Sequence, residues 1–236
     1  MQRKALAAIG LAGAAGWTWP APAPLVPGIA ERLGIPCRLA SATGVALTFD
    51  DGPHPEGTPA VLEALDAAGA TATFFLVGEQ VERWPEVAAR IAEAGHEVGI
   101  HGYIHRLLLR RRVSSLASDL DRAYDVIAAA TGRSEPTLYR PPYGVFSSGA
   151  LRLVRQRGWQ PLLWSTWGRD WGARETPEAI AQRAVRRLRG GDVVLLHDAD
   201  HYSAPDSWRR TAAALPLIFE AVGALGLPFV PASHSR

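Results

Sequence analysis

Between residue 45 and the C-terminal end, short apolar runs alternate with stretches whose apolar positions recur at helical spacing. The runs at 45–49, 71–77, 96–100, 138–140, 160–164, 192–196 and 227–230 predict strands. Several are rich in the β-branched and aromatic residues that suit a pleated surface. The intervening stretches predict helices over 58–68, 85–94, 118–131, 151–157, 176–188 and 208–225. Thr58-Pro59 and Thr176-Pro177 each offer a capping hydroxyl and then a proline, placed where a helix has no use for the N–H. Gly69, Gly95 and Gly132 stand where a left-handed residue stops a helix, and Gly190-Gly191 breaks the chain before the 192–196 strand. Seven strands alternating with helices imply an α/β chain of parallel βα units, closed as a barrel or opened as a doubly wound sheet. In both architectures reactive groups belong at the C-terminal ends of the strands.

Composition adds limits rather than direction. With 236 residues, 47% of them apolar, the chain suits one domain whose core needs no disulfide, and Cys37, the only cysteine, could not form one internally. The formal charge is +2. The only basic clusters are Arg110-Arg111-Arg112 and the set Arg183, Arg186, Arg187, Arg189, which read as solvated faces, with an anionic wall polymer as the alternative partner. Neither is interleaved with aromatics, which excludes a nucleic-acid footprint.

The first 27 residues differ from the rest. Arg3 and Lys4 precede a small, apolar stretch over 5–19, and a Pro/Ala-rich linker begins at Pro20. A positive start and a 15-residue apolar run match a signal peptide, whereas a bilayer span needs roughly 20 residues. Gly10, Gly13 and Gly16 weaken the hydropathy, so an uncleaved membrane tether and an unstructured tail stay open as alternatives. Export or association with the cell envelope is the expectation.

The unusual polar residues fall where the predicted strands end. Asp50-Asp51-Gly52-Pro53 follows the first strand and His101-Gly102-Tyr103-Ile104-His105 the third. Arg140-Pro141-Pro142-Tyr143-Gly144, Asp170-Trp171 and His197-Asp198 follow later ones. Packing does not account for five polar groups at one rim. Two histidines four apart lie on one face of a helical turn, where both imidazoles reach a single ion. With one carboxylate they give a mixed nitrogen and oxygen site that leaves positions open for water and substrate, the mark of a catalytic centre. Adjacent aspartates point in different directions along an extended chain, so one can ligate while the other faces the attacking water.

Thr48-Phe49-Asp50-Asp51-Gly52-Pro53, His101-x-x-x-His105, Arg140-Pro141-Pro142-Tyr143-Gly144, Asp170-Trp171 and Leu195-Leu196-His197-Asp198 resemble, in order, the five motifs of the polysaccharide deacetylases, carbohydrate esterase family 4. The resemblance covers residues 45–231 as one catalytic domain. It implies a distorted (β/α) barrel and hydrolysis of N-acetyl groups on polymers containing N-acetylglucosamine, such as peptidoglycan or a chitin-type glycan. It further implies that Asp51, His101 and His105 bind one divalent ion, zinc foremost and cobalt or nickel as alternatives. Asp50 would be the general base and Arg140 its tether. His197 would be the general acid, with Asp170 setting its tautomer and pKa. The backbone N–H of Tyr143 would stabilise the oxyanion, Leu195 would line the acetyl-methyl pocket, and Trp171 would form a wall of the substrate groove.

Two departures bear on substrate contacts. Family members usually carry a hydroxyl residue after the first metal histidine, where this chain has Gly102, and an acidic residue before the Asp170 position, where it has Trp167-Gly168-Arg169. Arg169 reads as a surface ion-pair former, or, if it enters the groove, as a contact for an anionic polymer. His96 reads as a buried, hydrogen-bonded histidine, His54 and Asp198 as supports of the motifs, and His201-Tyr202 as loop residues near substrate. Removal of O-acetyl groups from xylan-like polymers is the alternative reaction, and a non-catalytic wall glycan-binding module of the same fold is the alternative class.

Overall fold

The computed structural model describes residues 16–132 and 137–235. The signal-like residues 1–15 lie outside the described residues. Of the Pro/Ala-rich stretch, 20–25 fold into turns against the domain, and Ala23 is buried in the core. Among the described residues no helix is long and apolar enough to cross a membrane.

Seven parallel strands form one curled sheet, a distorted (β/α) barrel as the motifs imply. They are β1 (Ala46–Asp50), β2 (Thr73–Leu76), β3 (Glu97–Ile100), β4 (Leu138–Tyr139), β5 (Gln160–Pro161), β6 (Thr166–Trp167) and β7 (Val193–His197), in the order β5-β4-β3-β2-β1-β7-β6. The central strands are apolar almost throughout because helices cover one side and the barrel interior fills the other. The helices are α1 (Pro27–Arg32), α2 (Gly57–Ala67), α3 (Gly78–Arg83), α4 (Pro85–Glu93), α5 (Val113–Thr131), α6 (Ser148–Gln156), α7 (Pro177–Val185) and α8 (Ser207–Ala224).

Register gathers the motifs. Asp50 pairs with His197 across β1 and β7, and Ile100 pairs with Tyr139 across β3 and β4. Asp51, His101, Arg140 and Asp198 are therefore the next residues along neighbouring strands. A slip of one residue would turn every one of these side chains to the other face.

The strand count agrees with the sequence pattern, but the set of strands does not. Residues 227–230 make only an isolated bridge, Val45 to Phe229, because Pro228 has no N–H with which to extend a ladder. The seventh strand is instead β6. The single run expected at 160–164 leaves the sheet after Pro161 and crosses the open side of the barrel. There the Leu162, Leu163 and Ser165 N–H groups donate to the carbonyls of Tyr139, Pro36 and Val193. This crossing strap joins one edge of the sheet to the other.

Helix limits moved where side chains found other partners. Thr176 caps α7 by accepting the Ala179 N–H, but Thr58 lies inside α2. Its hydroxyl accepts the His54 N–H and donates to Asp198, which fixes the loop after β1 to the loop after β7.

Gly190 marks a tight crossing. A Cβ there would run into the Ala42 carbonyl, whereas one at Gly223, near the exposed end of α8, would meet nothing. Gly190→Ala is expected to lower stability by about 1–3 kcal/mol, melting several degrees early by circular dichroism. Gly223→Ala is expected to raise it by up to about 1 kcal/mol.

Candidate active site

Arg140 is fully buried inside the barrel. Its Nη1 donates to Asp50 Oδ1 at 2.7 Å and to Thr48 Oγ1 at 2.9 Å, while Nε and Nη2 donate to the strap carbonyls of Leu162 and Leu163. The Phe75 ring covers the guanidinium at 4.1 Å. Burial pulls the Arg140 pKa down, and the Asp50 carboxylate opposes it. Asp50 Oδ1 is thereby committed to Arg140, and Oδ2 is the oxygen turned toward the histidines, 3.8 Å from His101 Nε2.

Asp51, His101 and His105 converge beside it. Asp51 Oδ1 lies 3.5 Å from His101 Nε2 and 3.3 Å from His105 Nε2. The three side chains offer ligand atoms within 4.8 Å of one another. The fit to a cation is supported by what faces what. His101 Nδ1 must donate to the Arg140 carbonyl at 2.8 Å, so its Nε2 presents a lone pair to Asp51. Asp51 Oδ1 is itself a buried acceptor with no hydrogen-bond partner. Burial alone would raise the Asp51 pKa, but at the acid pH where it titrates the imidazoles of His101, His197 and His105 are protonated and hold it below the ordinary carboxylate range. Burial pushes His105 down to about 4 against the pull of Asp51, which keeps its ring neutral near pH 7, the form that can offer a lone pair to an ion.

The expected helical turn under the two histidines is absent. Gly102 takes φ 95, and the loop's polar backbone bonds outward: the Gly102 and Tyr103 carbonyls accept the Gly78 and Glu79 N–H groups, and Asp119 accepts the Tyr103 N–H. Helix α3 and Asp119 thus hold the histidines in place, and the loop closes no helical bond of its own.

On the far side, His197 Nδ1 lies 2.8 Å from Asp170 Oδ1. Asp170 Oδ2 accepts both the His197 backbone N–H and the Thr211 hydroxyl at 2.7 Å, so the carboxylate is locked from three directions. Burial would lower the His197 pKa, but the Asp170 charge and hydrogen bond dominate and raise it to about 10.

Asp50, Asp51, His101, His105 and His197 share one pocket of about 350 Å³, lined also by Tyr143, Trp164, Trp167, Trp171, Leu195 and Tyr202, with Arg140 and Asp170 buried behind it. Leu195 is buried, while Trp171 and Tyr143 stand exposed at the mouth. Tyr143 adopts φ 60, and the bonds of its turn are donated by the Gly144 and Val145 N–H groups, leaving its own N–H outside that ladder. A larger, open depression of about 1030 Å³ beside α2 and α4 is lined by Glu63, Asp66, Glu93 and His96 among others, but among the described residues no three of its side chains bring ligand atoms within 4.8 Å of one another.

Neighbouring residues take quieter positions. His96 is buried against Phe74. Asp198 packs behind Gly52, and burial raises its carboxyl to about 7 against the Thr58 hydrogen bond. His54, Asp200 and His201 also cluster, but His54 Nδ1 accepts the Gly57 N–H, so Nε2 keeps the proton it turns to Asp200 and has no lone pair for an ion. Arg169 is exposed and lies over the Trp167 ring at 5.0 Å. Thr211 and Asp119 escaped notice in the sequence; Thr48 is marked there only as part of the first motif, and Tyr202 only as a loop residue near substrate. Of these, Thr48 alone had a positional signal, since it sits two residues before Asp50 and shares its side of β1.

A family model described as polysaccharide deacetylase matches residues 40–162. A peptidoglycan-N-acetylglucosamine deacetylase of Bacillus cereus is 34% identical over 193 residues, spanning 80% of this chain and 86% of the relative. A chitooligosaccharide deacetylase of Azorhizobium caulinodans is 32% identical over 206 residues, spanning 84% and 98%. A solved peptidoglycan N-acetylglucosamine deacetylase superimposes with a TM-score of 0.78 at 28% identity, covering 85% of this chain and 92% of that one. The chain belongs to the polysaccharide deacetylase family.

Proposed function

We propose that this protein hydrolyses N-acetyl groups on N-acetylglucosamine-containing glycan, of the peptidoglycan or chitin type, and releases acetate. The observation that carries this reading is the placing of a tethered carboxylate, Asp50, and a carboxylate-bound imidazole, His197, around the Asp51, His101 and His105 ligand set in one pocket. The similarity to peptidoglycan and chitooligosaccharide deacetylases supports the substrate class. The basic start at Arg3-Lys4 and the apolar run that follows it support export to the envelope.

A divalent ion held by Asp51, His101 and His105, zinc by this reading, would polarise the acyl oxygen and acidify a water molecule. Asp50 takes the proton from the attacking water with the oxygen that Arg140 leaves free. The Tyr143 N–H donates to the oxygen that gains charge as the tetrahedral centre forms. His197, with Nδ1–H committed to Asp170, delivers a proton from Nε2 to the departing nitrogen, and the products are acetate and a free amine. Leu195 and Trp164 enclose the methyl group, and Trp171 flanks the sugar.

Asp50→Asn is expected to cut acetate release from N-acetylglucosamine oligomers on the order of 10²–10⁴-fold. Undiminished release by that variant sinks the assignment of the base. Chelator should abolish turnover and added zinc or cobalt restore it. Acetylxylan, run in parallel, should release less acetate than chitooligosaccharide, and the reverse order would favour the O-acetyl reaction.

His197 serves as an acid only while protonated, so its raised pKa places loss of activity on the alkaline limb. Asp170→Asn removes the charge that raises it, and the alkaline limb of kcat/KM should move to lower pH by at least about one unit. The stability sign is the same. Favourable pairing with Asp170 is fully present below the unfolded pKa of about 6.5 and is lost as pH rises toward about 10.

A further inference from the structure

His101 and His105 face the same carboxylate but are held by different means. The His101 ring is fixed by its Nδ1–H bond to the Arg140 carbonyl. His105 Nδ1 is buried and has no hydrogen-bond partner among the described residues. A metal-ligating imidazole nearly always makes that second bond, because it sets both the tautomer and the rotation of the ring.

In its place the His105 ring is clamped between aromatics. Tyr202 stacks on it with centroids 4.2 Å apart and planes inclined by 13°, and Tyr143 meets it edge-on at 4.5 Å. Tyr202 is itself immobilised. Its hydroxyl donates to Glu79 Oε1 at 2.7 Å and accepts from Gln80 Nε2 at 2.8 Å. Both partners lie in the first turn of α3, whose Gly78 and Glu79 N–H groups also hold the loop that carries His105. One short helix therefore fixes both the ligand's backbone and the ring that covers its side chain.

We propose that Tyr202 is a positioning residue for the metal ligand His105, supplying by ring stacking the orientation that a carbonyl supplies to His101. The inference rests on the metal reading given above. Tyr202 touches no reacting atom in this scheme, and its effect is exerted through the affinity of the site.

The test is zinc affinity of the full-length protein, measured by competition with a chromophoric chelator and checked by the visible absorption of the cobalt form. Tyr202→Leu should bind zinc on the order of 10–100-fold more weakly, while Tyr202→Phe, which keeps the ring, should stay within about threefold of wild type. Tyr202→Met, of similar length without a ring, carries the comparison if the leucine variant loses its far-ultraviolet signal. Equal affinity in wild type and the ringless variants overturns the proposal. So does a phenylalanine variant as weak as they are, since that would assign the effect to the hydroxyl. A wild-type protein that takes up no zinc, or an Asp51→Asn variant that binds as well as wild type, instead defeats the metal reading itself.

Discussion

The site depends on one buried guanidinium. Removing two charges from water costs several kcal/mol per ion even after relaxation, so Arg140 is tolerable inside the barrel only where acceptors surround it. Asp50 and Thr48 supply them from β1, and the crossing strap supplies two carbonyls at the one place where the sheet leaves its side open. The same residue works through its backbone, whose carbonyl fixes the His101 tautomer. Asp50 and His101 are thus both oriented by a single residue, and the closing of the barrel is part of that arrangement.

Two histidines of one pocket are driven in opposite directions. His105 is buried beside Asp51 with no bond to Nδ1, and desolvation prevails. His197 is buried too, but a carboxylate locked by Thr211 and the main chain prevails over desolvation. One ring is suited to offering a lone pair and the other to offering a proton. That separation of roles comes from the partners, since the side chains are identical.

What could be read beforehand follows from the same physics. The central strands were legible because parallel strands covered on both faces are continuous apolar runs. Strand β6 was not, since Thr166 and Trp167 are a two-residue run between serine and glycine. Its place beside β7 is set by the strap and not by its own pattern. The motifs marked Asp50, Asp51, His101, His105, Arg140, Asp170 and His197 because carboxylates, imidazoles and arginine rarely collect at strand ends without purpose. The supports Thr211 and Asp119 lie outside the motifs with ordinary side chains, and only the fold brings them near; Tyr202 follows the last motif closely, but its stack on His105 is visible only in the fold. The HxxxH spacing suggested a helix, but Gly102 at φ 95 and the outward bonds of the loop give the same convergence without one.

Backbone geometry completes the account of how the pocket is kept rigid. Asp51 and Tyr143 both adopt positive φ, at 80° and 60°, a region that costs a side-chain-bearing residue on the order of 1–2 kcal/mol. Such conformations persist where the surroundings over-determine them. Here each is followed by a glycine pressed against a side chain: a Cβ at Gly52 would run into the buried Asp198 carboxylate, and one at Gly144 into the half-buried Trp164 ring. The glycines let the layer behind the site close up on the main chain, and that contact holds Asp51 and Tyr143 where they face the pocket. The edge that faces the pocket is therefore shaped by close packing of its glycines, against Asp198 behind it and against the Trp164 ring beside it.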